Sequence, residues 1–399
     1  MSTAPSPSTP VASPSTTRMI SVKPSHTRKS MKKYFPMGAI MSKGTNNPIT
    51  VHSVNNELFA GLWSCVAEIM IADGELTRYT RESVAALVSA RNRCPICILA
   101  HGAFGSAAKM TLQAGSAEDS TGTNEAVMLQ EQRHNQAMAY AEMLLLPEKC
   151  RNSAVDDLPP HDTSNVLSDT AKAEVAAVVL LFNYMNRVVS AVLGEEMTTA
   201  MFSVPRSAAK KLEGGKMRNL MTRMMSPLMA RSMRVKYPQG LSSELFPAGS
   251  SFLDTLPERL AGLVLAGEDR ANAVARLVAW ADLYGKEEIL KNVISKEVLE
   301  LLEDPNNVPS PEMTSIQIAE WATGTMREKV QSLSDETDRS VFNVLLLLTH
   351  SPQSVFYCTC WRRLIKIKGK QEATTLVMWW SLRLTFQNAQ GLGPSGCWD

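Results

Sequence analysis

The sequence predicts an all-α protein, with two helical domains behind a disordered N-terminal tail. Apolar residues recur three and four apart in segment after segment, and few stretches show the alternation of a strand. Capping residues stand before two of the longest periodic runs, Thr80 before one and Ser168-Asp169 before the other. At 399 residues the chain exceeds one typical domain and can fill two cores.

Composition narrows the function classes. The formal net charge is +2, which gives no global electrostatic reason to expect nucleic acid as a partner. Residues 1–56 contain no Asp or Glu but seven Lys and Arg residues, leaving about −5 on the remainder. The first 45 or so residues are rich in Ser, Thr and Pro and poor in large apolar side chains. They cannot bury enough surface to offset their ordering entropy, so residues 1–50 read as a disordered basic tail or an organelle transit peptide. The seven cysteines, odd in number and scattered, argue against a secreted disulfide framework and for an intracellular, reducing setting. That setting is cytoplasmic or, if the tail is a transit peptide, mitochondrial or plastid. No uninterrupted apolar run reaches the length of a membrane span; Val175 to Leu181 leads into Asn183, Asn186 and Arg187.

In chain order, Leu58 to Ile71 reads as a helix ended by Asp73-Gly74. The next helix carries Glu82, Leu87 and Val88 as far as Arg91-Asn92-Arg93. Another helix starts near Pro95, residues 113–125 form a loop, and Glu125 to Leu146 is helical again. A polar linker from Cys150 to Asn165 precedes the apolar helix Ala171 to Leu193. Thr198 to Gly249 is a basic, Met-rich connecting arm. The second half reads as helices over Arg259–Leu265, Arg270–Leu283, Lys286–Leu302, Ser315–Leu333, Glu336–Leu348, Ser354–Lys366 and Gln371–Ala389.

The chemistry concentrates in Arg81 to Ser106. Cys94 and Cys97 are two residues apart, His101 follows, and Glu82 precedes. Pro95 suits a first helical turn, where its missing N–H costs nothing. Cys94, Cys97 and His101 then share one helix face, and a helix N-terminus flanked by Arg91 and Arg93 favours thiolate. Cys97 and His101, one turn apart, allow the imidazole to take a thiol proton. The same residues could hold zinc, with Glu82 as fourth ligand, or could be a buried structural set. Cys358 and Cys360, placed on a helix, would point in different directions and are not expected to be a catalytic pair.

By Glu82, Cys94, Cys97 and His101 the chain resembles the alkylhydroperoxidase D / carboxymuconolactone decarboxylase family. That signature is a Glu, eleven residues, Cys-x-x-Cys, three residues and a His. FNYMNR, Phe182 to Arg187, resembles the family's downstream Phe-x-x-x-Asn-Arg ending. The resemblance implies an all-α bundle assembling as a homo-oligomer, with the dithiol at a helix N-terminus and no cofactor. It implies a thiol-dependent peroxidase in which Cys97 attacks a peroxide, Cys94 resolves the sulfenic acid, and His101 with Glu82 relays the proton. An external thiol or disulfide reductase would restore the dithiol. Ile96 stands where the peroxidases carry His or Tyr, removing one proton donor. The same fold implies two alternatives, a lyase acting on a small organic acid and a non-catalytic assembly protein. Residues 51–240 would form the family domain. Residues 241–399 resemble a degenerate second copy, with THSPQSV (Thr349 to Val355) where the first has CPIC, and with Trp379 and Trp380 on a helix packed against the first copy or another chain.

Overall fold

In the computed structural model the described residues are 24–34, 48–118, 124–145, 167–193, 294–304 and 315–391, with residue 313 and several positions between 227 and 241. The structure of these residues is helical, with no strand among them. The expected helices Arg259–Leu265 and Arg270–Leu283, and the linker from Cys150 to Asn165, lie outside the described residues.

The Ser/Thr/Pro-rich tail carries one described helix, α1 (Pro24–Tyr34). Thr27, Met31 and Tyr34 fall on one stripe and are buried, and Ser30 Oγ accepts from the Trp63 indole at 2.9 Å. Composition hid this because the stripe is only three residues wide among Lys and Ser. A 3-10 turn (Thr50–Val54) leads into α2 (Asn56–Val66), whose last residues continue as a π-helical turn, Ala67–Ile71. Arg81 holds that turn by donating to the carbonyls of Ile69 and Ala72.

Helix α3 (Arg78–Arg91) begins earlier than expected. Thr77, not Thr80, is the cap, and its side chain accepts from the Thr80 N–H at 3.1 Å. Then follow α4 (Pro95–Glu118), α5 (Asn124–Leu144) and α6 (Asp169–Val188), which ends in a second π-helical turn, Val189–Leu193. Ser168 caps α6 by accepting from Ala171 N–H. The stretch Asp169–Leu193 is long and apolar enough to cross a membrane by length and composition, but 89% of its apolar window is buried inside the fold. It is the central core helix.

The described part of the second half contains α7 (Lys296–Glu303), α8 (Ser315–Lys329), α9 (Glu336–His350), α10 (Pro352–Val355) and α11 (Thr359–Gly391). The expected helix Ser354–Lys366 is interrupted. Pro352 starts a new short helix, and Phe356 to Cys358 belong to neither it nor α11. Within α11, Gly369 sits at φ 79°, a region costly for residues with a Cβ, and splits the element into two helices.

Helices from both halves share one hydrophobic core. Val88, Leu181 and Val188 belong to the same cluster as Phe342, Leu346, Leu376 and Trp380. Helix α11 packs on α6 and α9, with Trp380 buried and its indole N–H donating to Thr349 Oγ1 at 2.9 Å. Described residues of the connecting arm touch the first half. Met229 and Ala230 cover Ala103, Phe104 and Ala107, and Tyr237 accepts from Asp73 N–H at 2.7 Å.

Candidate active site

The turn between α3 and α4 is built from backbone bonds before any side chain acts. Asn92 N–H donates to Val88, Arg93 N–H to Ala90 and Cys94 N–H to Ser89. Arg93 takes φ 53°, the left-handed region that ends many helices. Cys94 is then the residue before Pro95, the first residue of α4, and Ile98 N–H returns to the Cys94 carbonyl at 3.0 Å.

Helix α6 props this turn from behind. Asn183 Oδ1 accepts from Asn92 at 2.9 Å, Asn186 Oδ1 accepts from Ser89 Oγ at 3.2 Å, and Ser89 supplies the carbonyl bonded by Cys94. Phe182 packs edge-on against the His101 ring, centroids 4.2 Å apart. Three residues of the FNYMNR segment therefore support the CPIC turn and its histidine.

All four expected site residues come together in two pairs. The Cys94 and Cys97 sulfurs are 2.8 Å apart with both thiols free, and both residues are buried. The His101 Nδ1 lies 2.6 Å from Glu82 Oε2. This fixes which imidazole nitrogen faces the carboxylate and leaves Nε2 for other chemistry.

Arg78 completes the second pair and was missed by sequence reasoning. Its Nε donates to Glu82 Oε1 at 2.6 Å, and its guanidinium also reaches the Met70 carbonyl. The i,i+4 spacing of Arg78 and Glu82 was the available signal, obscured by starting the helix at Thr80. Burial alone pushes the Glu82 carboxyl up, but the Arg78 charge and the His101 hydrogen bond outweigh it and hold the group below its ordinary value.

The two thiols of the pair differ in their surroundings. Burial pushes the Cys94 thiol up, yet hydrogen bonds from the Cys97 thiol, the Cys97 N–H, the Ser190 hydroxyl and the Ile96 N–H bring it below the ordinary thiol value. Cys97 moves well above that value, because its proton bonds Cys94, because it is buried, and because the neighbouring charge repels a second one. The first N–H groups of α4 and the Ser190 hydroxyl favour the ionised form of Cys94 over that of Cys97. Ser190, on the π-helical turn after α6, is a further residue sequence reasoning missed. No local spacing pointed to it.

Among the described residues no three His, Cys, Asp or Glu side chains converge in a metal-holding arrangement. Cys358 and Cys360 do not share a helix: Cys358 precedes α11, and the two are joined by a disulfide with Cα atoms 5.2 Å apart. No family model, curated protein or solved structure matches this chain.

Proposed function

We propose that the chain is a thiol-dependent peroxidase cycling between a Cys94/Cys97 dithiol and its disulfide. One observation carries the reading: two sulfurs 2.8 Å apart at a helix N-terminus, on the helix that also bears a histidine hydrogen-bonded to a buried carboxylate. The Cys94 thiolate attacks the terminal peroxide oxygen, the O–O bond breaks, and the departing alkoxide or hydroxide takes a proton delivered by His101. Glu82 holds that imidazole in place. Cys94 is left as a sulfenic acid. The Cys97 sulfur then attacks it, the S–S bond forms, and the hydroxyl leaves with the Cys97 proton as water. An external dithiol returns two electrons. The sulfurs already lie within an ångström of the roughly 2.05 Å disulfide bond length.

The resemblance of residues 51–240 to the alkylhydroperoxidase D-like family supports this reading, and residues 241–399 fit a degenerate copy retained as scaffold. Turnover of hydrogen peroxide with dithiothreitol tests it. The native protein is expected to turn over, Cys94→Ser to be inactive, and Cys97→Ser to take one oxidising equivalent and stop. No peroxide consumption by the native protein, or full turnover by Cys94→Ser, overturns the mechanism.

A further inference from the structure

We propose that Cys358 and Cys360 form a second, independent thiol–disulfide centre that exchanges electrons with external dithiols, a role beyond the peroxidase reading. The bond joins residues two apart, so it restrains almost none of the unfolded chain and serves poorly as a structural staple. Its setting is that of a reactive pair. Cys360 lies in the first turn of α11, and its N–H donates to Cys358 Sγ at 3.1 Å. Arg362 and Arg363 follow in the same turn. Positive charge and unsatisfied N–H groups at a helix start stabilise a thiolate.

Accessibility separates this pair from the other. Cys94 and Cys97 are both buried, whereas Cys358 is partly exposed and Tyr357 beside it is 55% exposed. Access therefore directs attack to Cys358. An incoming thiolate bonds Cys358 Sγ, the Cys358–Cys360 bond breaks, and Cys360 leaves as a thiolate at the start of α11. The second thiol of the reductant then attacks the mixed disulfide. It leaves as a cyclic or protein disulfide, and Cys358 and Cys360 remain reduced. Two electrons pass and no other reactant is needed.

The test is a titration of the full chain against reduced and oxidised dithiothreitol, followed by alkylation and mass mapping, in the native protein and in a Cys94→Ser/Cys97→Ser background. The pair is expected to open and close reversibly in both, with a melting midpoint that changes by less than about 5 °C on opening. Cys360→Ser is expected to form a mixed disulfide at Cys358 by exchange with oxidised glutathione, releasing one reduced glutathione. Four results would each overturn the proposal: a pair that never closes, one that opens only on unfolding, a larger drop in midpoint, or cycling lost in the double-serine background. Independence of the CPIC cysteines keeps this outcome separate from the fate of the peroxidase reading.

Discussion

Cys94-Pro95-Ile96-Cys97 and Ser351-Pro352-Gln353-Ser354 occupy the same position relative to their helices. Each follows a helix of similar length, α3 or α9, and each places a proline at the start of the next. The bridging geometry is the same. The sulfurs of the first pair and the hydroxyl oxygens of the second are both 2.8 Å apart. Their surroundings differ. Counting twelve residues back reaches Glu82 in the first region and Arg339 in the second, and counting seven forward reaches His101 and Cys358. Helix α4 runs unbroken past His101, whereas the second region breaks at Phe356 to Cys358. A pair of small hydrogen-bonding side chains, one before the proline and one two residues after it, is thus common to both turns. Only the first region adds a polarisable sulfur pair, a base and a buried carboxylate on continuous helices.

The largest expected contrast lies at the acidic position. Glu82→Gln leaves Arg78 and His101 beside a neutral amide and should cost about 3–5 kcal/mol in denaturant unfolding. Arg339→Gln gives up a single bond to the Leu333 carbonyl and should cost about 1 kcal/mol or less. Equal losses would mean that the two regions are electrostatically alike, contrary to the comparison.

A smaller effect should be common to both regions. His52, bonded to Tyr184 Oη at 2.8 Å, is brought down to about 3 by burial, and His350 to about 4 by burial and the Arg187 charge. The folded state resists protonation that the unfolded chain accepts near pH 6.5, so stability is present above that pH and falls as pH drops towards these values. His52 alone should cost about 2 kcal/mol between pH 7 and pH 5. Melting of the native protein and of His52→Gln across that range checks this. A pH-independent difference between them would remove His52 from the account.

Much of the fold was legible because packing writes its period into the sequence. Leu58 to Ile71 and Ala171 to Leu193 are helical as read, although each ends in a π-helical turn that periodicity does not distinguish. The break before Cys358 was not read, since no Gly or Pro marks it and the apolar pattern runs on through Val355 and Phe356. At the site, spacing brought Glu82, Cys94, Cys97 and His101 together. Spacing alone could not rank the two thiols. That ranking depends on which sulfur meets the N–H groups of Ile96 and Cys97, and on Ser190, 96 positions beyond Cys94 in the chain.

Ser190 sharpens the comparison further. Ser190→Ala removes one hydrogen bond that favours the ionised Cys94 sulfur and should raise the Cys94 pKa. The rate of Cys94 alkylation against pH reads this directly, and an unmoved profile would put the thiolate elsewhere. The smallest effect is expected from exchanging the pairs. Cys94→Ser/Cys97→Ser copies the chemistry of Ser351 and Ser354 and should change stability by less than about 1.5 kcal/mol, because volume and bridge are retained. A larger loss would show that the sulfurs are required for packing.

The central claim is that Cys94 and Cys97 are the thiols that react with peroxide. A sub-stoichiometric pulse of hydrogen peroxide on the pre-reduced protein, quenched by alkylation and mapped by mass at every cysteine, measures this most directly. The expected first product is a Cys94–Cys97 disulfide, formed while the buried Cys65 remains unoxidised. Oxidation of Cys65 before that pair, or a pair still fully alkylatable after the peroxide is consumed, would contradict it.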